Sequence, residues 1–222
     1  IQSAGDNRYI IRTETLPDEK ANELLQAMEK ELGDLDILRN EKVAPVIGGE
    51  LTRNGIIALV LATILMIAYI TYRFEFYFAV GGIAALLHDV LIMLSFMAIF
   101  QLEVDMNFIA AVLTILGYSI NDTIVIFDRI RENSKSRKYK ELAPLVNDSI
   151  MQTLRRTINT AVATIITLVA LIVLGGDTTK VFAISLLVGC VSGAYSTIFI
   201  ASPVWMVLKQ KRSMGKRFTA QK

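Results

Sequence analysis

Five apolar stretches of membrane-crossing length narrow what this chain folds into. They run over Asn54–Tyr72, Phe76–Phe100, Met106–Phe127, Thr157–Leu174 and Val181–Leu208. Crossing the hydrocarbon takes roughly 20 mostly apolar residues wound as a helix. Inside lipid every backbone N–H and C=O needs a partner within the protein, and a helix supplies its own. The pattern predicts a mainly α membrane protein in which residues 51–208 form a bundle of five transmembrane helices. The fourth stretch is short and carries Asn159, Thr160, Thr164 and Thr167, so one of its faces is polar.

Charges collect between and outside these stretches. The segment 128–156, read as a loop, holds eight Lys or Arg residues between Arg129 and Arg156, and the tail 209–222 adds Lys209, Lys211, Arg212, Lys216 and Arg217. The connection Gln101–Asp105 carries Glu103 and Asp105 without a basic residue, and Gly175–Lys180 opens on a Gly-Gly turn. The positive-inside rule assigns the loop and the tail to the cytoplasm. An odd number of spans then places residues 1–50 outside. Within the loop, Leu145, Ile150 and Leu154 recur at helical spacing, which suggests a short surface helix over Pro144–Leu154 that delivers Arg155 and Arg156 to the mouth of the fourth span. A formal net charge of +2 gives no nucleic-acid signature, so the lipid bilayer and other proteins are the expected surroundings.

The first fifty residues are a different material. Alternation over Arg8–Thr15 suits a strand. Pro17–Leu32 reads as a helix with Ala21, Leu24, Leu25, Met28 and Leu32 on one face and Gly33 as its stop. Leu35–Val43 is a candidate second strand. Such a β-α-β piece is too small to bury a core of its own, so it is expected to be half of a larger α+β, ferredoxin-like extracytoplasmic domain. Pro45 and Gly48-Gly49 are expected to hinge it to the first span. The chain opens at Ile1 with neither an initiator Met nor a signal-peptide pattern and reads as a piece of a longer protein. Its single cysteine, Cys190, lies in an apolar stretch and excludes an intrachain disulfide.

The chemistry-bearing residues are intramembrane charges. Asp122 lies inside the third stretch, where a charged group costs about 2.5–3.5 kcal/mol on insertion scales. It needs a partner, a proton or a water path, and a short Asp side chain cannot reach the interface as Lys does. It reads either as a proton-carrying group or as a carboxylate held by Asn121, Ser119 and nearby donors for packing. Arg156, at the head of the fourth stretch, is the candidate counter-cation, because its guanidinium stays charged and grips carboxylates bidentately. An Arg there also simply obeys the positive-inside rule. His88 and Asp89 form a second polar pair in the middle of the second stretch. Asp89 shares a face with Gly81 and Ala85, which points it at another helix, with His88 off to the side. That pair reads either as a titrating couple or as a hydrogen-bonded device fixing helix register. Gly81, Ala85, Gly117, Gly189 and Gly193 are read as helix-packing positions, the last two as a Gly-x-x-x-Gly pattern flanked by Ser185, Ser192 and Ser196. Trp205 is read as an interface anchor. No nucleophile triad, metal cluster or phosphate loop is seen, so the chain is read as a non-enzyme with no cofactor and protons as the coupling ion.

Three segments carry a family resemblance: Gly117–Asn133 (GYSINDTIVIFDRIREN), Asn147–Thr160 (NDSIMQTLRRTINT) and Leu87-His88-Asp89. Together with the spans around them they resemble the SecF family of bacterial protein-export subunits, over essentially all of Pro45–Leu208. SecF proteins are similar to half of a resistance-nodulation-division transporter, with six spans and a large extracytoplasmic domain after the first. This chain lacks the first span and the start of that domain. The resemblance implies SecD as partner, separate or fused, association with the SecYEG channel and with YajC and YidC, and a translocating polypeptide as the object moved. It implies export assistance driven by the proton motive force, with the family's proton-path carboxylate at Asp122 and its arginine at Arg156. A small-molecule exporter of the resistance-nodulation-division type and a purely structural subunit are the alternatives.

Overall fold

The computed structural model describes residues 2–3, 9–11, 13, 16–33, 35, 37, 45–102, 104–136 and 138–219. Two compact units divide at Asn54 and Gly55.

In the first unit, β1 (Gln2–Ser3) pairs antiparallel with β2 (Tyr9–Ile10), with Gln2 opposite Ile10. Helix α1 follows over Asp18–Leu32. Its N-cap position is Pro17, and Gly33 ends it at φ +89°, a conformation that costs a glycine little, with its N–H on the Glu29 carbonyl. The expected strand over Arg8–Thr15 shrinks to β2, with Tyr9 and Ile11 exposed. Leu35 and Ile37 adopt no regular structure, and the other residues of the expected second strand lie outside the described ones.

The second unit is a helical bundle. Helix α2 covers Pro45–Arg73, α3 Phe76–Ile99, α4 Met106–Lys135, α5 Leu142–Leu174 and α6 Asp177–Ser196, continued through a π-helical turn at Thr197–Ala201 into α7, Ser202–Thr219. Five helical stretches are long and apolar enough to cross a membrane: Arg53–Arg73, Phe76–Ile99, Met106–Lys135, Leu142–Leu174 and Thr179–Lys211. Helix α6 is central and packs on α3, α4 and α5. Most of α2 presents Ile57, Val60, Leu61, Ile64 and Leu65 outward, which suits lipid.

Three expectations are corrected here. The hinge at Pro45 and Gly48-Gly49 is absent, because α2 runs unbroken from Pro45; proline at a first helical position removes only an N–H that has no helical partner anyway. The loop 128–156 is mostly helix, since α4 continues to Lys135 and α5 starts at Leu142, leaving a short connection. No breaker interrupts either flank, and Pro144 falls in the first turn of α5, where it is tolerated. The surface helix over Pro144–Leu154 is therefore the first part of α5 itself. Asn133 Nδ2 on α4 donates to Ser149 Oγ at 2.9 Å and clips the two extensions together. In the connection, hydrogen bonds from Tyr139 and Asp148 hold the Lys138 ammonium above the ordinary lysine range. Trp205, expected at the interface, is core: it is 2% exposed and stacks on Phe78 with centroids 4.6 Å apart.

The π turn was not expected. Pro203 brings no N–H and its ring crowds the preceding turn. Widening that turn relieves the crowding, and Ser202 Oγ donates to the Thr197 carbonyl at 3.4 Å.

Candidate functional site

Two buried carboxylates define the polar interior of the bundle. Asp89, on α3, is fully buried. It accepts from Ser119 Oγ of α4 at 2.8 Å, from Ser192 Oγ of α6 at 2.6 Å and from Ser196 Oγ of α6 at 2.8 Å. His88 Nδ1 lies 3.3 Å from Asp89 Oδ1. One carboxylate thus ties three helices together. His88 is half-buried and leans on Tyr195, with ring centroids 5.9 Å apart.

Small residues bring those helices close enough. A Cβ on Gly193 would stand 3.1 Å from Ser119 Cβ, and one on Gly189 would stand 2.5 Å from Ile115 Cγ1 and 2.9 Å from Met93 Sδ. Ile115 and Ser119 are one turn apart on α4, and Gly189 and Gly193 one turn apart on α6, so the Gly-x-x-x-Gly face receives α4 side chains directly. A Cβ on Gly81 would meet the Ala201 carbonyl at 2.6 Å and Trp205, which lets the π turn and α7 lie against α3. Ala85, on the same face, is fully buried. Gly117 differs: it is exposed, and nothing lies within 4 Å of a Cβ built there. The packing role expected for Gly117 is corrected, since its face of α4 points away from the other described helices.

Asp122 is three residues beyond Ser119 on α4 and only 3% exposed. Its Oδ2 is buried without a hydrogen-bond partner. Neither donor expected from the sequence serves it, because Ser119 is committed to Asp89 and Asn121 is exposed. Beside it, Thr123 Oγ1 donates to the Ser119 carbonyl at 3.0 Å and meets Thr197 Oγ1 of the π turn at 3.1 Å. The Asp89 cluster and the turn carrying Asp122 are therefore joined through Ser119 and Thr123.

Arg156 is the cation whose charge reaches Asp122, but the two form no ion pair within 4.0 Å and the Arg156 side chain is exposed. The register of α4 on α5 explains the arrangement. Asn133 bonds Ser149, and Tyr118 faces Thr164; fifteen residues separate the two positions on each helix, so the helices run antiparallel in constant register. That register brings Asp122 level with Thr160, whose Oγ1 donates to the Arg156 carbonyl at 3.0 Å. Thr157, 1% exposed, lies on the α5 face that turns to α4, and its Oγ1 is also unpartnered.

The sequence did not reveal the three serines as Asp89 ligands. Ser119 stood inside the motif around Asp122, and Ser192 and Ser196 stood beside the glycines of the fifth span. Only the close approach of α4 and α6 to α3 joins them.

Residues 23–211 match the C-terminal family of protein export membrane proteins SecD/SecF. The SecF protein translocase subunit of Sebaldella termitidis is 42% identical over 220 residues, covering 98% of this chain and 71% of that protein. The SecDF protein translocase subunit of Bacillus subtilis is 47% identical over 170 residues, which are 75% of this chain and 23% of that one. In three dimensions the chain superposes on the translocon-associated SecDF of Thermus thermophilus with a TM-score of 0.82 at 40% identity, covering 88% of this chain and 27% of that one.

Proposed function

The chain belongs to the SecD/SecF family of protein export membrane proteins, as a SecF-like subunit, and from that premise we propose that Asp122 is its proton site. One observation carries the proposal: a nearly sealed carboxyl inside a span, with one oxygen unpartnered and a single cationic side chain, Arg156, within electrostatic reach. A carboxyl whose oxygens are already claimed, as at Asp89, has little freedom to take up and release a proton, whereas Asp122 is open to it. In its carboxylate form Asp122 attracts Arg156 across the α4–α5 seam. A proton removes that attraction, the helices repack, and release of the proton toward the basic side resets them. Each proton moved down 100 mV supplies about 2.3 kcal/mol, enough to bias a two-state element.

The basic connection between α4 and α5 and the basic tail support a cytoplasmic position for that end of the bundle, in a bacterial inner membrane, with residues 1–50 on the other side. Leu24 and Leu32 of α1 are exposed, which fits a helix belonging to a larger extracytoplasmic α+β domain. Partnership with SecD follows from relatives in which the two names are fused as SecDF. Assistance to a polypeptide passing through SecYEG, with YajC and YidC nearby, completes the reading. In it, Asp89 is a fixed anchor for helix register and His88 its flanking donor.

The test is export of a secreted reporter by the complete complex, energised and with the proton motive force collapsed. Asp122→Asn keeps size but cannot cycle a proton. Export at the level of a deletion strain, with the complex still assembled, is expected; unchanged export would replace the proton site with a scaffold role.

A further inference from the structure

Tyr118 is one turn before Asp122 on α4, on the same side of the helix, and no step described above uses it. Its ring is half-buried, and its hydroxyl is sealed from solvent without a hydrogen bond. That hydroxyl faces Thr164 of α5 and Cys190 of α6, which is fully buried. Thr164 Oγ1 spends its own proton on the Thr160 carbonyl at 2.9 Å, which leaves its lone pairs as acceptors. Three polar atoms without partners, Tyr118 Oη, Asp122 Oδ2 and Thr157 Oγ1, therefore occur along the α4–α5 seam. Buried polar atoms are nearly always paired, so a run of orphans marks a place where hydrogen bonds are made and broken.

Direction follows from helix geometry. Long side chains lean toward the N-terminus of their helix, so Tyr118 leans toward the Met106 end, which is the extracytoplasmic end under the orientation proposed above. Any proton reaching Asp122 along the seam from that end passes the phenol first.

We propose that Tyr118 is the outer gate of the proton site, closing the seam between α4, α5 and α6 and passing the proton inward. This rests on the reading of Asp122 as the proton site. In the transfer, the phenol oxygen accepts a proton from the outer side while its own proton leaves toward the Asp122 carboxylate. The phenol ends neutral and one proton has moved. The groups around the gate that titrate or carry charge are Asp122 of α4, Arg156 of α5 and Cys190 of α6.

The experiment is proton flux by the complete protein with its partner subunit in proteoliposomes, read by an internal pH-sensitive dye, with assembly checked by co-purification. Tyr118→Phe keeps the ring and removes the hydroxyl. It is expected to slow flux about tenfold or more and to shift its dependence on outer pH while leaving dependence on inner pH in place. Wild-type flux with an unchanged outer-pH profile overturns the gate. Asp122→Asn is run alongside: loss there with normal flux in Tyr118→Phe overturns the gate alone, and normal flux in Asp122→Asn overturns the proton site and the gate with it. If Tyr118→Phe does not assemble, Thr164→Val removes the acceptor that faces the hydroxyl; slowed flux supports the gate and wild-type flux overturns it.

Discussion

Asp89 and Asp122 have the same side chain, nearly the same burial and adjoining positions in one bundle, yet their surroundings are opposite. Asp89 is bound by three serine hydroxyls from two other helices and flanked by His88. Asp122 has a buried oxygen with no partner and a cation held beyond contact. Donors determine what a buried carboxyl can do. Hydrogen bonds to a charged group are each worth about 1.5–3 kcal/mol, so Asp89 gains by staying where it is. Asp122 has few such bonds to lose when a proton arrives. The first carboxyl organises the helices, and the second is left free within what the first has organised.

Substitutions that treat the two carboxyls alike break or sharpen this contrast. The largest difference is expected between Asp122→Asn and Asp89→Asn. The former removes proton-driven export with thermal stability close to wild type. The latter lowers stability by about 1–3 kcal/mol, read as the unfolding midpoint of the purified complex. Equal stability losses would erase the distinction. Asp89→Ala is expected to cost more, about 3–5 kcal/mol, because it strands hydroxyls on two helices at once. Gly189→Val pushes a branched side chain into Ile115 and Met93 and is expected to cost about 1–3 kcal/mol, against a change within about 0.5 kcal/mol for Gly117→Ala, whose Cβ meets nothing. Ser119→Ala removes one of the Asp89 donors and is expected to cost about 1 kcal/mol; a cost near zero would mean that Ser192 and Ser196 hold Asp89 alone.

What the sequence made legible was set by local patterns. The spans were readable because length and hydropathy are properties of contiguous residues, and the end of α1 because Gly33 adopts a positive φ. Asp122 stood out because a lone carboxyl in an apolar run is visible without any fold. The extensions of α4 and α5 were missed because a polar, basic segment looks the same as loop or as helix projecting from a membrane. The assignment of Ser119 to Asp122 failed for a geometric reason. The two are neighbours along α4, but Ser119 turns to Asp89, thirty residues away in sequence. Ser192 and Ser196 are more than a hundred residues from Asp89, a distance over which spacing has no meaning. Gly117 resembled the packing glycines in type and location; only its exposure separates it from Gly189 and Gly193.

The central claim is that one of these carboxyls exchanges a proton and the other does not. Infrared difference spectra of the complete complex, recorded as pH is changed, read carboxyl protonation directly. A carboxyl band that follows pH is expected in the wild type, absent in Asp122→Asn and retained in Asp89→Asn. A band that survives Asp122→Asn, or vanishes only with Asp89→Asn, would contradict the account.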